Sequence, residues 1–171
     1  MDSAESPAVL ITVTGGREED RGILVAWPEG LIIWSDDRVR GGPPYRSARI
    51  DPVRIRDAVS EMVREGPWTG VHRHAPDSRW THVVARSGSD IVVDVGSWHE
   101  LLEANPRIVA TATGAEPLDE RTRAEVHARQ PPEYQSFLRR WEHVTKAALS
   151  LIPPSGQLVG EPERARMPWL S

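Results

Sequence analysis

Ile23-Leu24-Val25-Ala26-Trp27-Pro28-Glu29-Gly30-Leu31-Ile32-Ile33-Trp34 is the stretch that decides the fold class. Two runs of β-branched and apolar residues flank a three-residue loop ending in glycine. Such a loop needs a positive φ, which glycine supplies without steric penalty, so the stretch reads as a β-hairpin. Both runs are apolar at nearly every position rather than at alternate ones. That pattern predicts central strands covered on both faces. Upstream, Val9-Leu10-Ile11-Thr12-Val13 is a further strand, joined to the hairpin through Gly15-Gly16 and the charged run Arg17-Glu18-Glu19-Asp20-Arg21.

Downstream the chain turns polar. Ser35 to Ile50 holds Gly41-Gly42-Pro43-Pro44 and is expected to be an irregular loop. Asp51-Pro52 then opens a helix, with the aspartate as cap and the proline at the first helical position, where its missing N–H costs nothing. Ile55, Ala58, Val59, Met62 and Val63 recur at the helical spacing, and Gly66-Pro67 ends the element. Thr69 to His74 reads as a strand. Trp80-Thr81-His82-Val83-Val84-Ala85 and Ile91-Val92-Val93-Asp94-Val95 form a second hairpin around Ser87-Gly88-Ser89-Asp90. Ser97-Trp98-His99-Glu100 has capping-box spacing and predicts a short helix closed by Asn105-Pro106. Asp119 to Arg129 is read as a surface helix. Pro131-Pro132 starts a stronger one, in which Tyr134, Phe137 or Leu138, Trp141, Val144, Ala148 and Leu151 form the apolar stripe.

Strands arriving in hairpins rather than in βαβ units predict an α+β fold: an antiparallel sheet with helices packed on one face and a helical C-terminal part. With 171 residues, 39% of them hydrophobic and 27% charged, the chain has material for one cored domain. We expect that domain over residues 1–152, followed by a proline-rich extended tail over 153–171 whose Met167-Pro168-Trp169-Leu170 docks on the body.

Composition removes whole classes of function. There is no cysteine, hence no disulfide, thiolate metal site, iron–sulfur cluster or cysteine nucleophile. No run of 18 apolar residues is present and the N-terminus has no signal-peptide pattern, so no membrane partner and a cytoplasmic location are expected. The formal net charge of −4 argues against a nucleic-acid partner. Lys146 is the only lysine among 21 basic residues, a bias that genome composition explains. Phosphate-loop, dinucleotide-binding, G-x-S-x-G and H-E-x-x-H motifs are all missing, and no cofactor is expected.

Two groups of residues carry chemistry. Arg38, Arg40, Arg46 and Arg49 surround Tyr45 in the glycine- and proline-bearing segment. Guanidinium forks pair with anions and stack on rings, so these five residues are the expected binding surface for another protein. The competing account ties the same arginines to Asp36, Asp37 and Asp51 and packs Tyr45 on the sheet. The second group is His72, His74 and His82, with Asp77 nearby. Residues i and i+2 share a strand face, so His72 and His74 can reach one ion, and three imidazoles with an open position suit a hydrolytic zinc centre. Gln130-Pro131-Pro132-Glu133-Tyr134 matches a Pro-Pro-x-Tyr ligand, but Tyr134 belongs to the helical stripe and the prolines to its start. The tryptophans are read as core.

The segment from Trp34 to Arg46, together with Asp51-Pro52, Ser97-Trp98-His99-Glu100, Pro132-Glu133-Tyr134, Trp141 and Leu151-Ile152-Pro153, resembles a group of small uncharacterised bacterial proteins. The resemblance runs through most of the chain and implies no activity, cofactor or catalytic residue. Two functions from different classes follow from the residues themselves. One is a non-catalytic protein-interaction module acting through Arg38, Arg40, Tyr45, Arg46 and Arg49. The other is a metal-assisted hydrolase acting through His72, His74 and His82.

Overall fold

The computed structural model describes residues 6–14, 20–73, 79–98, 107–160 and 167. Along the chain it places β1 (Val9–Thr14), β2 (Arg21–Ala26), β3 (Leu31–Ser35), β4 (Tyr45–Arg49), α1 (Pro52–Met62), β5 (Trp68–Arg73), β6 (Trp80–Ser87) and β7 (Asp90–Ser97). Then come β8 (Ile108–Ala110), β9 (Ala115–Pro117), α2 (Arg123–Ala128), α3 (Pro132–Leu149) and β10 (Gln157–Leu158). The fold is α+β, as the hairpin order predicts. Among the described residues, no helix is long and apolar enough to cross a membrane.

Eight strands form one sheet in the order β10-β4-β3-β2-β1-β6-β7-β5. The hairpin of β2 and β3 lies inside it, which is why its residues are apolar throughout. Strand β1 joins the two halves, pairing with β2 on one side and β6 on the other. All pairs are antiparallel except β5 with β7, which is parallel, so the sheet is mixed where the sequence predicted an antiparallel one. The reason is connectivity. Helix α1 carries the chain from β4 to the far edge, and the β6–β7 hairpin then fills the gap between β5 and β1.

Residues paired across strands share a face, so the register sorts the side chains. Val9, Ala26, Ile32, Ala85 and Val93 form one row, and Ile11, Leu24, Trp34, Val83 and Val95 the next. These side chains share a buried cluster with Ile55, Ala58, Val59 and Met62 of α1 and with Tyr134, Phe137, Leu138, Trp141, Val144 and Ala148 of α3. The helical stripes read from the sequence are therefore part of the same buried cluster as the strand rows. Met62 is 1% exposed. The helices are also tied to each other and to the loop after α1: His143 Nε2 lies 2.7 Å from the Glu61 carbonyl, and Arg140 donates to the Pro67 carbonyl at 3.1 Å.

On the opposite face, the apolar cluster among the described residues lies at one end. Val25, Trp27, Leu31, Ile33 and Tyr45 form a second buried cluster there, closed by Met167. Residues 157–159 and Met167 are thus tied to the body. Strand β10 pairs with β4, and the Val159 N–H donates to the Tyr45 carbonyl at 3.1 Å.

Two local readings need correction. Residues 45–49, expected to be loop, are a strand, because only 36–44 contain the glycines and prolines and Tyr45 has a cluster to fill. The helix expected from Asp119 begins at Arg123. Asp119 has φ 50°, and Thr122 with Glu125 forms the capping box that starts the element. Ser97 ends β7 and is fully buried. The short helix expected after it lies outside the described residues.

Candidate metal centre

The other half of this sheet face carries a group of polar residues. Register places Thr12, His82, Gly96 and His72 in one row across β1, β6, β7 and β5, with Asp94 in the adjoining row opposite Val84. Parallel pairing sets His72 beside Gly96. A bulge between Thr69 and Val71 allows this, with Gly70 at φ 72°. The extra residue keeps both Trp68 and Val71 against the helices and turns His72 to the opposite face.

Strand spacing puts the backbones of His72 and His82 about 10 Å apart, on either side of β7. Gly96 between them has no side chain, and the two imidazoles lean over it towards Asp94. His82 Nε2 is 2.7 Å and His72 Nε2 3.2 Å from the same carboxylate oxygen, Oδ1. The three ligand-type atoms all lie within 4.8 Å of one another, and no other such trio converges among the described residues. Zinc bonds of 2.0–2.2 Å at tetrahedral angles separate neighbouring donor atoms by about 3.4 Å, so small side-chain adjustments convert this cluster into a coordination shell. His82 and Asp94 are one-quarter to one-third exposed, which leaves the cluster open to solvent.

Hydrogen bonds from His82 and then His72, opposed by partial burial, hold the Asp94 carboxyl below its ordinary range, so the site keeps an anion at its centre. The indole of Trp80 walls one side, its ring centroid 5.3 Å from that of His82 and 5.6 Å from that of His72. Two imidazoles and a carboxylate suit zinc and neighbouring divalent transition metals, and three protein ligands leave a position for water.

Of the three histidines singled out in the sequence, the structure brings His72 and His82 together. His74 lies outside the described residues. Asp94 was missed, although a signal was present: it is the only charged residue inside the apolar run 91–95 of a strand paired on both sides.

The arginine-bearing segment divides differently. Tyr45 is buried in the second cluster, and the Arg46 guanidinium pairs with Asp36 at 2.7 Å and reaches the Gly156 carbonyl at 3.3 Å. Asp37 accepts from the Val39 and Arg40 backbone N–H groups at 3.0 and 2.8 Å, bonds that hold its carboxyl below the ordinary range. Asp51 caps α1, accepting from the Val53 N–H at 2.8 Å. Internal ties thus account for Tyr45, Arg46 and all three aspartates, while Arg38, Arg40 and Arg49 are exposed. Compared with models of known families, with curated proteins and with solved structures, the chain matches none.

Proposed function

We propose that this protein binds one divalent transition metal through His72, His82 and Asp94 and uses it for hydrolysis. The observation that carries the reading is the convergence of both imidazoles on one carboxylate oxygen, over a glycine, with all three side chains part-exposed. The chemistry supplied by a bound zinc-type ion is a water made acidic enough to act as nucleophile near neutral pH. Net hydrolysis then joins the water oxygen to the electrophilic centre. One water proton goes to the departing oxygen and the other to solvent. Asp94 and the two histidines fix the ion, and Trp80 shields one flank from solvent.

The test is titration of chelator-stripped protein with zinc, and with cobalt(II) as a spectroscopic substitute. One ion per chain is expected, with micromolar or tighter affinity and the visible absorption of four- or five-coordinate cobalt. His82→Ala and Asp94→Ala should weaken binding at least tenfold, and the loaded wild type should hydrolyse simple esters or phosphoesters that the metal-free form leaves intact. Binding only in the millimolar range, or equal binding by the His72→Ala/His82→Ala double variant, overturns the reading. The rival reading, a protein-interaction module, retains Arg38, Arg40 and Arg49 as its surface.

A further inference from the structure

A cleft of about 330 Å³ opens beside this cluster, lined by Arg40, Arg79, Trp80, Thr81, Trp98 and two valines, Val13 and Val39. Among the described residues that line it, two are cationic and none is acidic. The two arginines come from separate parts of the fold: Arg40 from the turn after β3, Arg79 from the residue that leads into β6. Arg40 is held in place by its backbone. Its N–H is bound to Asp37 Oδ1, the Gly41 N–H donates to the Asp37 carbonyl at 3.0 Å, and the Gly42 N–H reaches the Gly22 carbonyl of β2 at 3.1 Å. The backbone of the turn that carries Arg40 is therefore fixed to the sheet before any ligand arrives, which lowers the cost of ordering it on binding.

Trp80 belongs to both places. It lines the cleft, and its ring packs against the imidazoles of His72 and His82. Cleft and cluster are thus contiguous through one side chain. Guanidinium groups recognise oxyanions, and indoles offer flat apolar surface beside them.

We infer that the Arg40–Arg79 cleft is the substrate subsite of this protein and takes the oxyanion group, phosphate or carboxylate, of a small molecule with a flat apolar portion. The inference rests on the metal-centre reading for its catalytic meaning, but the cleft itself is testable without metal.

Phenyl phosphate, benzoate, inorganic phosphate and phenol serve as probes, titrated into chelator-treated and zinc-loaded protein and followed by calorimetry and tryptophan fluorescence. Binding of phenyl phosphate or benzoate to the metal-free protein is expected, weakened at least tenfold in Arg40→Ala and in Arg79→Ala and partly restored in the corresponding lysine variants. Phenol should bind far more weakly than either anion. The stronger of phenyl phosphate and benzoate identifies the oxyanion. Absence of anion binding to metal-free protein, or binding unchanged in both alanine variants with intact melting curves, overturns the inference. Anion binding that needs zinc and ignores the arginines overturns it too, while leaving the metal centre standing. Failure of zinc to bind, with anion binding intact, removes the metal reading alone.

Discussion

Trp80 occupies the space that a side chain on Gly96 would need. A Cβ built on Gly96 runs into the six-membered ring of the indole and comes within 3.2 Å of His72 Cδ2. Gly96 is therefore required by its neighbours rather than by its backbone, and it fixes where both the indole and the imidazole rest. Gly96→Ala should destabilise the fold by about 1–3 kcal/mol, the usual range for overpacking a filled site, and weaken zinc binding by displacing His72. In a double-mutant cycle with Trp80→Ala, the alanine at 96 should be much less costly once the indole is gone. Strict additivity of the two changes would show that the contact is not what makes residue 96 a glycine.

Burial separates two substitutions at the C-terminal end. Met167 is 2% exposed and closes the second cluster, whereas Leu158 of β10 is 68% exposed. Met167→Ala should cost roughly 2–5 kcal/mol, as should Met62→Ala beneath α1, while Leu158→Ala stays within about 0.5 kcal/mol of wild type. Denaturant midpoints measure all three, and a neutral Met167→Ala would detach the C-terminal end from the core.

Metal removal should leave the fold standing. The candidate ligands sit on strands already held by the sheet and by the helical cluster, so prolonged EDTA treatment is expected to leave the melting temperature unchanged. Zinc at one hundred times its dissociation constant should then stabilise the protein by about 2.7 kcal/mol, which for a chain of this size raises the midpoint by about 5–10 °C. Collapse in EDTA would indicate a structural ion instead.

Asp37 links the loop to pH. The Arg40 and Val39 backbone N–H groups favour its charged form, so its folded-state pKa lies below the unfolded value near 3.9. The stability it contributes is fully present above that value and is lost as pH falls through the lower folded-state pKa. Asp37→Asn should therefore be less stable than wild type at pH 7, and the gap should narrow below about pH 4. Melting curves across that window decide it; a gap that widens on acidification contradicts the assignment.

Arg40 and Arg46 should respond differently to truncation. Arg46 pairs with Asp36 and reaches the Gly156 carbonyl, so Arg46→Ala should lower the melting temperature slightly, and less so in high salt. Arg40→Ala should leave the curve unchanged. Equal losses from both would make the whole segment scaffold and remove Arg40 from the cleft proposal.

The residues that determine local structure were legible in the sequence. The hairpin around Pro28-Glu29-Gly30, the Asp51-Pro52 start of α1, and the stripes of α1 and α3 depend on spacings of a few residues, and all appear where those spacings place them. Thr122 and Glu125 escaped notice although their capping-box spacing is equally local, because Asp119 offered an earlier start. The partial miss at 45–49 has a different cause. Tyr45-Arg46-Ser47-Ala48-Arg49 lacks apolar alternation, and it is a strand because β3 on one side and β10 on the other supply hydrogen-bonding partners.

The candidate site shows the same division at longer range. The sequence by itself determined that the chain builds hairpins and amphipathic helices, and that it has no thiolate to offer a metal. It also picked out His72 and His82 as polar residues on otherwise strand-forming segments. Only the tertiary structure decided that they meet at Asp94, which is 22 residues from His72 and 12 from His82. Strand order and register set that meeting. The parallel docking of β5 on β7 and the bulge at Gly70 choose the face on which His72 emerges, and a shift of one residue in either would turn it towards the helices. Local spacing encodes which residues can line a face; pairing between strands distant in sequence decides which of them share it.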